Sequence, residues 1–377
     1  MEIRIASDPA TWDAIVDQSP YSVLHHKYEM CSGGRKTLHL VFQEKEHYLL
    51  FPLQMIKMLG FKIARSPIYY HASLLPSDVN AVCFIPQALE QTVQFLRKLD
   101  IDLLVTSVPT FLSKSYTNAL SSWFIMNKAM FEFIYPHMLN VNGKKFEDVW
   151  TKDFSKHARN AARKAEKVGV HVSEVEDVKP WIDDLILCNI SSLRRQGRIE
   201  TSRKCDRAMF LEYLTQHVRL LGDHFRVFGA FFDSRLVAYM TTIEYNKLVL
   251  ITSAMSWSKY LSKRPNDALL TYILRHACEA GFDWVYYSFD RVSRFQDKPS
   301  LLPSLVKFKF EHGFKEIRVP VYRLGLTCAG KVLGWLLSAY TDAFVGSAYL
   351  PQVLRDGLQQ LYDRYSRSEA LRGLLRS

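Results

Sequence analysis

The sequence lacks the residue spacings of a metal centre or of a disulfide-bonded scaffold. It has six cysteines, but none forms a Cys-x-x-Cys pair, and no cysteine–histidine group has the spacing of a zinc site. We therefore expect no metal ligands among its site residues. No signal peptide is recognisable either, so a reducing cytoplasm is the expected compartment. Two widespread catalytic motifs, the G-x-S-x-G elbow and the G-x-x-x-x-G-K-[ST] phosphate loop, are also missing.

A long uninterrupted apolar run is missing as well. The nearest candidate, 332–350, contains Asp342 and several small polar residues, which fit poorly into hydrocarbon. Its larger apolar residues recur at the spacing of an amphipathic helix; they are Leu333, Leu336, Leu337, Tyr340 and Phe344. Packing on the protein core is the favoured interpretation. The alternative is peripheral contact with a membrane, at its inner face, through 331–365.

The sequence does contain an excess of positive charge, with a formal net charge of +11. Segments 152–167 and 194–207 each hold six basic residues against two acidic ones. A solvated surface helix explains either segment alone. Together they favour a shared anionic partner, such as a nucleotide, an RNA or a lipid headgroup. A DNA partner is not predicted.

With 377 residues, the chain is long enough for two domains. In the first half, two paired strands are predicted at 37–43 and 47–57, a helix at 85–99 and a buried strand at 101–109. The stretch 135–150 carries Pro, Asn and Gly and predicts a connection into the second half.

The second half is predicted to begin with a helix over 152–168 that ends at Gly169. Three later strand-like runs, "FRVFGAFFD", "RLVAYMTTIEYN" and "KLVLITSAMS", predict consecutive antiparallel pairing. A helix over 267–281 and the strand "DWVYYSFD" follow, and "EIRVPVYRL" is the last predicted strand. This order predicts a mixed sheet with a ligand cleft where its strands separate, and a helix N-terminus directed at that cleft.

Four segments resemble the GNAT superfamily, and more narrowly the branch of Fem-type aminoacyltransferases and exopolysaccharide-associated acyltransferases. In chain order they are "FSKHARNAARKAEKVGVHV", "SLRRQGRIETSRKCDRAMFLEYL", "KRPNDALLTYILRHACEAGFDWVYYSFDR" and "FKFEHGFKEIRVPVYRL". Near the N-terminus, "SPYSVLHHKYEMC", "FPLQMIK" and "RSPIYYHASLL" resemble the degenerate first domain of the same branch. The resemblance covers residues 1–325.

The resemblance implies an α/β fold of tandem GNAT-like domains, each with a mixed, mostly antiparallel sheet flanked by helices. It implies a degenerate N-terminal domain in 1–135, a catalytic domain in 136–325 and an amphipathic helical tail in 326–377. The implied reaction is transfer of an acyl or aminoacyl group to an amine, or less often a hydroxyl, on a sugar-linked acceptor. Negative charge develops on the carbonyl oxygen in such a reaction, and fixed donors stabilise it.

The resemblance also implies roles for particular residues. Phe308 and Lys309 match the Phe-Lys…Gly-Phe signature, which implies that Lys309 stabilises a donor phosphate or the forming oxyanion. The alternative is an amphipathic helix from which Lys307 and Lys309 point outward. Arg159 and Arg195 match arginines of the branch and are predicted to be phosphate clamps, since arginine suits bidentate contacts with anions.

A general base is harder to assign. Glu244 lies on the middle strand, where many GNAT enzymes keep a carboxylate that takes the amine proton; an exposed residue at a strand end is the alternative. Asp290 is a second candidate. In "YYSFDRVSR", Ser288 and Asp290 replace an aspartate and a glycine that are common in the branch, while Arg291 remains as a predicted substrate-binding residue.

One departure from the family concerns the donor. A typical acetyl-CoA-binding GNAT protein has a glycine-rich loop where this sequence has "SKRPNDALL" (262–270), which contains no glycine. Asn266 could cap the following helix and leave backbone donors for a phosphate, with Lys263 and Arg264 adding charge. The missing glycines nevertheless favour an unusual acyl donor or an aminoacyl-tRNA.

Three functions therefore stay open. The first is acyl transfer from an acyl-CoA, without a tightly bound cofactor, to an amino sugar or a lipid-linked glycan precursor. The second is a Fem-type aminoacyltransferase that uses aminoacyl-tRNA to modify a peptidoglycan bridge. The third is a non-catalytic scaffold that binds phosphate or a membrane.

Overall fold

The structure, a computed structural model, describes residues 1–32, 36–58, 60–67, 73–109, 112–195, 204–289 and 304–344. The chain divides into two compact units. The first consists of Met1–Tyr135 and the described residues from Ile317 onward, and the second is Pro136–Glu316. The boundary that the sequence places after residue 325 thus lies at Glu316, because the strand Val319–Gly325 pairs within the sheet of the first unit.

The strands and helices of the described residues are as follows. The strands are β1 (Glu2–Ile5), β2 (Thr37–Glu44), β3 (His47–Met58), β4 (Phe61–Arg65), β5 (Leu75–Pro76), β6 (Leu103–Ser107), β7 (Met130–Ile134), β8 (Pro136–Asn140), β9 (His171–Glu174), β10 (Phe225–Phe232), β11 (Arg235–Tyr245), β12 (Leu248–Ser256), β13 (Trp284–Phe289), β14 (Lys315–Glu316) and β15 (Val319–Gly325). The helices are α1 (Pro9–Gln18), α2 (Tyr28–Ser32), α3 (Ile85–Lys98), α4 (Lys114–Met126), α5 (Phe146–Asp148), α6 (Lys156–Lys167), α7 (Ile182–Arg195), α8 (Arg207–Leu221), α9 (Pro265–Glu279), α10 (Ser304–Glu311) and α11 (Cys328–Phe344).

The first unit is built on a sheet with the strand order β1-β2-β3-β4-β6-β15-β7, and β5 pairs with β3. The predicted hairpin is confirmed: β2 and β3 are antiparallel, and Glu44 lies opposite His47 across a two-residue turn. The predicted helix over 85–99 is α3, which buries Leu89, Val93 and Leu96 at helical spacing. These side chains join the main hydrophobic core of the unit.

The C-terminal helix α11 packs on this same sheet. Leu333 is buried in a cluster with Ile134, Val319 and Val321, so in its described part the helix docks on the protein core, the interpretation favoured from the sequence. The side chains of Leu336, Tyr340 and Phe344 and all of residues 345–377 lie outside the described part of the chain. Within the described ranges, no helix combines the length and apolar character needed to cross a bilayer.

The second unit is built on a sheet with the strand order β14-β8-β13-β12-β11-β10-β9. The predicted run of three antiparallel strands is confirmed as β10, β11 and β12. β13 then pairs parallel to β12, which requires a crossover connection, here α9. The two faces of the sheet carry different helices, since Met240 packs in the core with α9 while the neighbouring Tyr239 bonds to Asn189 on α7.

Two predictions at the start of this unit were wrong. The stretch 135–150 was predicted as a connection, but its first residues form β8, which pairs with β13. Its proline is compatible with a strand because Pro136 is the first residue, where a missing N–H costs least. The helix predicted from 152 begins at Lys156, because Val149–Asp153 form a π-helical turn and Ser155 accepts a hydrogen bond from the Ala158 N–H as the N-cap.

A Schellman turn ends α10 at Gly313. The Phe314 N–H donates to the Lys309 carbonyl and the Gly313 N–H donates to the Phe310 carbonyl, which is the hydrogen-bond pattern of that motif. Gly313 has a φ of 86°. A Cβ at this position would come within 2.7 Å of the Asp153 Cβ. Glycine is therefore required at this one position for two reasons. It adopts the positive φ without strain, and it leaves room for the close approach to Asp153.

We predict that Gly313→Ala destabilises the protein more than Gly169→Ala. Gly169 also has a positive φ, of 92°, but a Cβ there would meet nothing within 4 Å. The left-handed conformation alone should cost ~1–2 kcal/mol at either position, and the overlap with Asp153 should add ~1–3 kcal/mol at Gly313. Urea denaturation of both variants measures the difference. Equal losses would contradict the close approach of Gly313 to Asp153.

Candidate functional site

The parallel pair in the second sheet separates partway along its length. β12 and β13 pair at three positions, Leu248 with Trp284, Val249 with Val285 and Leu250 with Tyr286. Both strands then continue, β12 to Ser256 and β13 to Phe289. A bulge against β11 makes Thr252 the extra residue of β12 just beyond the last pair. The separation predicted from the sequence therefore lies after Leu250 and Tyr286, with a bulge beside it, as is common next to active sites.

Arg195 lies at the end of α7, beside the last residue of β12. Its guanidinium donates to Ser258 Oγ at 2.9 Å and to Ser256 Oγ at 3.2 Å. No carboxylate among the described residues lies within ion-pair distance of it. Burial lowers the pKa of Arg195, which reflects the cost of keeping a cation partly out of water. An anionic ligand would offset that cost, and the role of Arg195 as a phosphate clamp stays a prediction.

Two serines of α7 hold the loop that follows β12. Ser192 Oγ accepts from the Ser256 N–H at 2.9 Å and donates to the Ser256 carbonyl at 3.1 Å. Ser191 Oγ accepts from the Ser258 N–H at 2.8 Å. These bonds fix the loop between β12 and α9, and with it the hydroxyls that contact Arg195.

Asn266 lies in the first turn of α9 and reaches the same serine. Its Nδ2 donates to Ser256 Oγ at 3.1 Å, and its Oδ1 is buried without a hydrogen-bond partner among the described residues. The prediction that Asn266 caps α9 was wrong, because Arg264 is the N-cap and Pro265 is the first helical residue. Arg264 provides no side-chain cap, so the first turn keeps backbone donors for a ligand, as the sequence predicts.

Lys309 lies on α10, on the face of the sheet that carries α9. Its side chain is fully buried, at 0 % exposure, and its Nζ lies 4.7 Å from the centre of the Tyr287 ring. Tyr287 directly follows Tyr286, the last residue of β13 that pairs with β12. The alternative in which Lys309 points outward is therefore wrong, whereas Lys307 on the same helix is exposed. Phe308 packs against the core around α9 and its ring lies 4.3 Å from that of His312.

A second polar cluster lies on the α7 face of the sheet, and it was not predicted from the sequence. Lys204 Nζ donates to Ser253 Oγ at 2.9 Å, and the Lys204 carbonyl accepts from Asn189 Nδ2 at 2.7 Å. Asn189 Oδ1 in turn accepts from the buried Tyr239 hydroxyl at 2.6 Å. One signal was available: β12 is apolar through Ile251 and then changes to hydroxyl residues at Thr252 and Ser253.

Arg159 has a different position from that expected of a phosphate clamp. Its Nη1 donates to the main-chain carbonyls of Trp150 and Phe154, at 3.3 and 2.5 Å. The Trp150 carbonyl belongs to the π-helical turn that precedes α6, and Phe154 is the residue that directly follows this turn. In the structure the side chain therefore stabilises a local turn.

Glu244 is not brought to the opening between β12 and β13. It pairs with Val249 at the beginning of β12, and its carboxylate accepts from Arg226 Nε at 3.0 Å and contacts His276 Nε2 at 3.1 Å. His276 and Asn266 are ten residues apart on α9, a separation of about 15 Å along the helix. Of the other predicted residues, Asp290 and Arg291 lie outside the described residues.

The environment of Glu244 also makes it a poor proton acceptor. Burial raises the pKa of this carboxyl, but the bonds and charges of His276 and Arg226 and the hydroxyl of Thr242 outweigh burial and lower the pKa below its ordinary value. A carboxylate that holds protons so weakly takes a proton from an amine less readily.

Comparisons with known proteins concern the family of one domain and the fold. Residues 152–289 match a family model described as an acetyltransferase (GNAT) domain. A crystal structure of FemX is 11 % identical, with a TM-score of 0.67 over 89 % of this chain and 100 % of that one. L-PGS from Bacillus licheniformis is 11 % identical, with a TM-score of 0.53 over 91 % of this chain and 99 % of that one.

A third solved structure is similar over a comparable length. It is the C-terminal domain of a putative lysylphosphatidylglycerol synthetase from Agrobacterium fabrum, 12 % identical, with a TM-score of 0.52 over 87 % of this chain and 96 % of that one. No curated protein sequence matches this chain. At such low identities these structures establish a shared fold.

We predict that Glu244→Gln destabilises the protein in a pH-dependent way. Because the folded state lowers the pKa of Glu244, its ionised form stabilises the fold above the unfolded-state pKa of about 4.3, and this stabilisation is lost as pH falls through the lower folded-state pKa. The variant should lose about 1–3 kcal/mol at pH 6 to 7 and match the wild type near pH 3. Urea midpoints from pH 3 to 7 measure this.

Glu174→Gln is the matched control for that experiment. Glu174 bonds to the same Arg226 side chain, at 2.8 Å, but is more exposed than Glu244, at 36 % against 7 %. Glu174→Gln should therefore lower the free energy of unfolding by less than about 1 kcal/mol. A pH-independent loss in Glu244→Gln, or equal losses in the two variants, would contradict the proposed ionisation.

Proposed function

We propose that this chain, whose residues 152–289 match a GNAT acetyltransferase domain and whose fold is shared with FemX, belongs to the Fem-type branch of the GNAT superfamily. We propose further that it transfers an acyl group from an acyl-CoA to an amine of an amino sugar or of a cell-surface glycan precursor. The expected α/β fold of two mixed sheets flanked by helices is confirmed, and the chain is an acyltransferase of the GNAT type. We propose, in addition, the donor, the acceptor, the site residues and the cytoplasmic setting.

One observation carries the proposal. The strands β12 and β13 separate between a buried cation on one face of the sheet, Lys309, and a cation at the end of β12 on the other face, Arg195. A carbonyl group placed in this opening would lie close to fixed positive charge. Such preorganised charge stabilises the oxyanion of acyl transfer strongly where water is excluded.

The first turn of α9 favours a phosphate-bearing donor. The side chain of its N-cap residue, Arg264, does not cap its backbone donors, and the helix dipole favours an anion at this end. Arg195 and the hydroxyls of Ser256 and Ser258 add donors beside it. The buried Oδ1 of Asn266 can accept a hydrogen bond, for which the amide N–H groups of the pantetheine arm of CoA are suitable donors.

The proposed chemistry requires no group beyond the two substrates and the protein. The neutral amine attacks the thioester carbonyl, and its C–N bond forms as negative charge moves to the carbonyl oxygen. The tetrahedral intermediate collapses, the C–S bond breaks, and the thiolate of CoA leaves with the bonding electrons. The proton lost by the nitrogen goes to a base, for which Asp290 remains the prediction. Lys309 is proposed to stabilise the oxyanion or a donor phosphate.

Transfer of an aminoacyl group from tRNA is the alternative. It is supported by the two basic segments, 152–167 and 194–207, and by the loop 262–270, which lacks glycine. The Agrobacterium fabrum domain adds an indication, because its name describes a synthetase of lysylphosphatidylglycerol. Its identity of 12 % establishes only the fold, so we place this alternative second.

We predict that acyl-CoA binding raises the melting temperature and that Arg195→Ala weakens the binding. A ligand at a hundredfold excess over its Kd stabilises the native state by ~2.7 kcal/mol, which is a rise of ~2–4 °C for a protein of this size class. Loss of a charge-assisted contact should raise the Kd roughly tenfold to hundredfold. Differential scanning fluorimetry with acetyl-CoA, longer acyl-CoAs and free CoA measures both effects.

Arg207→Ala is the control, since Arg207 lies in the same basic segment but pairs with the exposed Asp183 on the surface. It should leave the Kd for CoA unchanged. If a well-folded wild type shows no shift with any CoA, the acyl-CoA proposal is wrong and the assay moves to charged tRNA. A shift that Arg195→Ala leaves intact would place the donor elsewhere.

We predict that Lys309→Met strongly slows transfer without unfolding the protein. Methionine has a similar length and fills the buried site next to Tyr287, so the volume of the site is conserved. Removing a donor to an oxyanion should lower kcat by about 10²–10³-fold. Release of free CoA thiol from the acyl-CoA that stabilises the protein measures kcat. Lys307→Met, on the exposed face of the same helix, should change kcat less than about twofold.

A further inference from the structure

His312 is a fully buried histidine that the proposed reaction does not use. It follows the last residue of α10, one turn after Lys309, and its exposure is 0 %. Its Nδ1 lies 2.8 Å from the Phe308 carbonyl. Since a carbonyl can only accept, Nδ1 carries a proton in this contact. The ring is held between Phe308, at 4.3 Å, and Phe154, at 5.0 Å between ring centres.

The second nitrogen of this ring is directed at a carboxyl group. His312 Nε2 is buried without a hydrogen-bond partner among the described residues, and Asp267 Oδ1 lies 3.6 Å from it. Asp267 is itself buried, at 7 % exposure, in the first turn of α9. With Nδ1–H donating to Phe308, a favourable contact between Nε2 and Oδ1 requires one more proton between them.

Burial decides where that proton resides. Burial raises the pKa of Asp267 to about 6 and lowers the pKa of His312 to about 4, so between about pH 4 and about pH 6 both groups are neutral. In that range the proton is on the carboxyl, which lies 3.6 Å from Nε2 and is placed to donate to it. The other charged groups around the pair are His157, Glu311 and Arg264, of which His157 and Glu311 are bonded to each other at 3.1 Å.

We propose that Asp267 and His312 are a positioning pair, whose contact holds the turn of α10 that carries Lys309 against the turn of α9 that carries Asn266. Lys309 and His312 are three residues apart on α10, and Asn266 and Asp267 are adjacent on α9. A shift of α10 relative to α9 would therefore move the proposed oxyanion donor relative to the proposed donor-binding turn. The inference rests on the proposed function of Lys309.

Other contacts of the α10 turn support this assignment. The Lys309 carbonyl is fixed by the Phe314 N–H, and the Phe314 ring lies 5.7 Å from Tyr287, the ring under the Lys309 amine. The Glu311 carbonyl accepts from the Ser155 N–H at 2.8 Å, which attaches α10 to α6. Among these attachments, the Asp267–His312 contact is the one that reaches the first turn of α9.

The test is a set of variants assayed for transfer of the acyl group from acyl-CoA at about pH 5.5, where the Asp267 carboxyl keeps its proton. Asp267→Ala and His312→Leu each remove the contact. Each should lower kcat about tenfold to hundredfold, as expected for a small misplacement of a catalytic group, with KM for the donor changed less than about threefold. Asp267→Asn keeps a donor, its Nδ2–H, and should retain kcat within about threefold. The double variant Asp267→Ala/His312→Leu should be no worse than either single one, because both remove the same contact.

His217→Leu is the matched control. His217 Nδ1 makes the same kind of contact, at 2.8 Å from the carbonyl of Tyr213 four residues earlier, but on α8, which packs against β10 and α7. It should leave kcat within about twofold. Additive losses in the double variant, or unchanged kcat in folded Asp267→Ala and His312→Leu, would overturn the proposal. A rise in KM without a fall in kcat would do the same, since it would indicate direct contact with substrate.

A spectroscopic measurement keeps the proposal testable if the variants fail to fold or if the protein does not accept an acyl-CoA as its donor. At about pH 5.5, ¹⁵N-labelled histidine in the wild-type protein should show His312 as a neutral ring with its proton on Nδ1 and a hydrogen bond accepted at Nε2. In Asp267→Asn this hydrogen bond should be weaker, because an amide is a weaker donor than a carboxyl. A ring protonated on Nε2 would overturn the pair. If the pair is observed but no donor gives transfer, the proposed function fails while the contact stands, so the two failures are distinguishable.

Discussion

Two parallel strands that stop pairing partway along their length are the constraint on which the second unit depends. Beyond Leu250 and Tyr286, the facing backbone groups of β12 and β13 no longer bond to each other. Buried backbone groups need partners, so the opening has to be lined by polar groups or filled by a ligand. The hydroxyl residues at the end of β12 are such polar groups, and the N-terminus of α9 faces the same end of the sheet.

The charges around this opening have different environments on the two faces. Arg195 contacts hydroxyls and is partly exposed, which suits an anion that enters and leaves. Lys309 is fully buried against an aromatic ring, in an environment of low dielectric where a charge acts strongly on a neighbouring dipole. A buried cation is costly for stability, so its retention at this place agrees with a role in the reaction.

Carboxylates in this unit likewise differ by environment. Glu244 is held ionised by Arg226 and His276 at the far end of α9 and stabilises the sheet. Asp267, at the near end of the same helix, is buried beside a neutral histidine and keeps its proton at mildly acidic pH. The residue type alone suggested a base at Glu244. The partners of Glu244 hold it within the sheet, and we propose that Asp267 serves the geometry of the site.

The sequence by itself was sufficient for the elements whose signals are local. Apolar alternation predicted β10, β11 and β12, helical spacing predicted α3 and α9, and the Phe-Lys…Gly-Phe signature singled out Lys309. Local signals failed at β8, where Pro136 suggested a loop, because strand pairing with β13 outweighs the propensity of five residues. They also failed at the last strand, which splits between two sheets at residues 317–318.

Only the tertiary structure decided which polar residues meet. Arg195, Ser256 and Asn266 come from three different elements, and the contact between Asp267 and His312 joins residues 45 positions apart. Hydrophobic periodicity reports whether a side chain faces the core, but it carries no information about which buried polar atoms become neighbours. That depends on how α7, α9 and α10 pack around the separated strands, so the sequence determined the elements and the candidate lysine, and the packing determined the site.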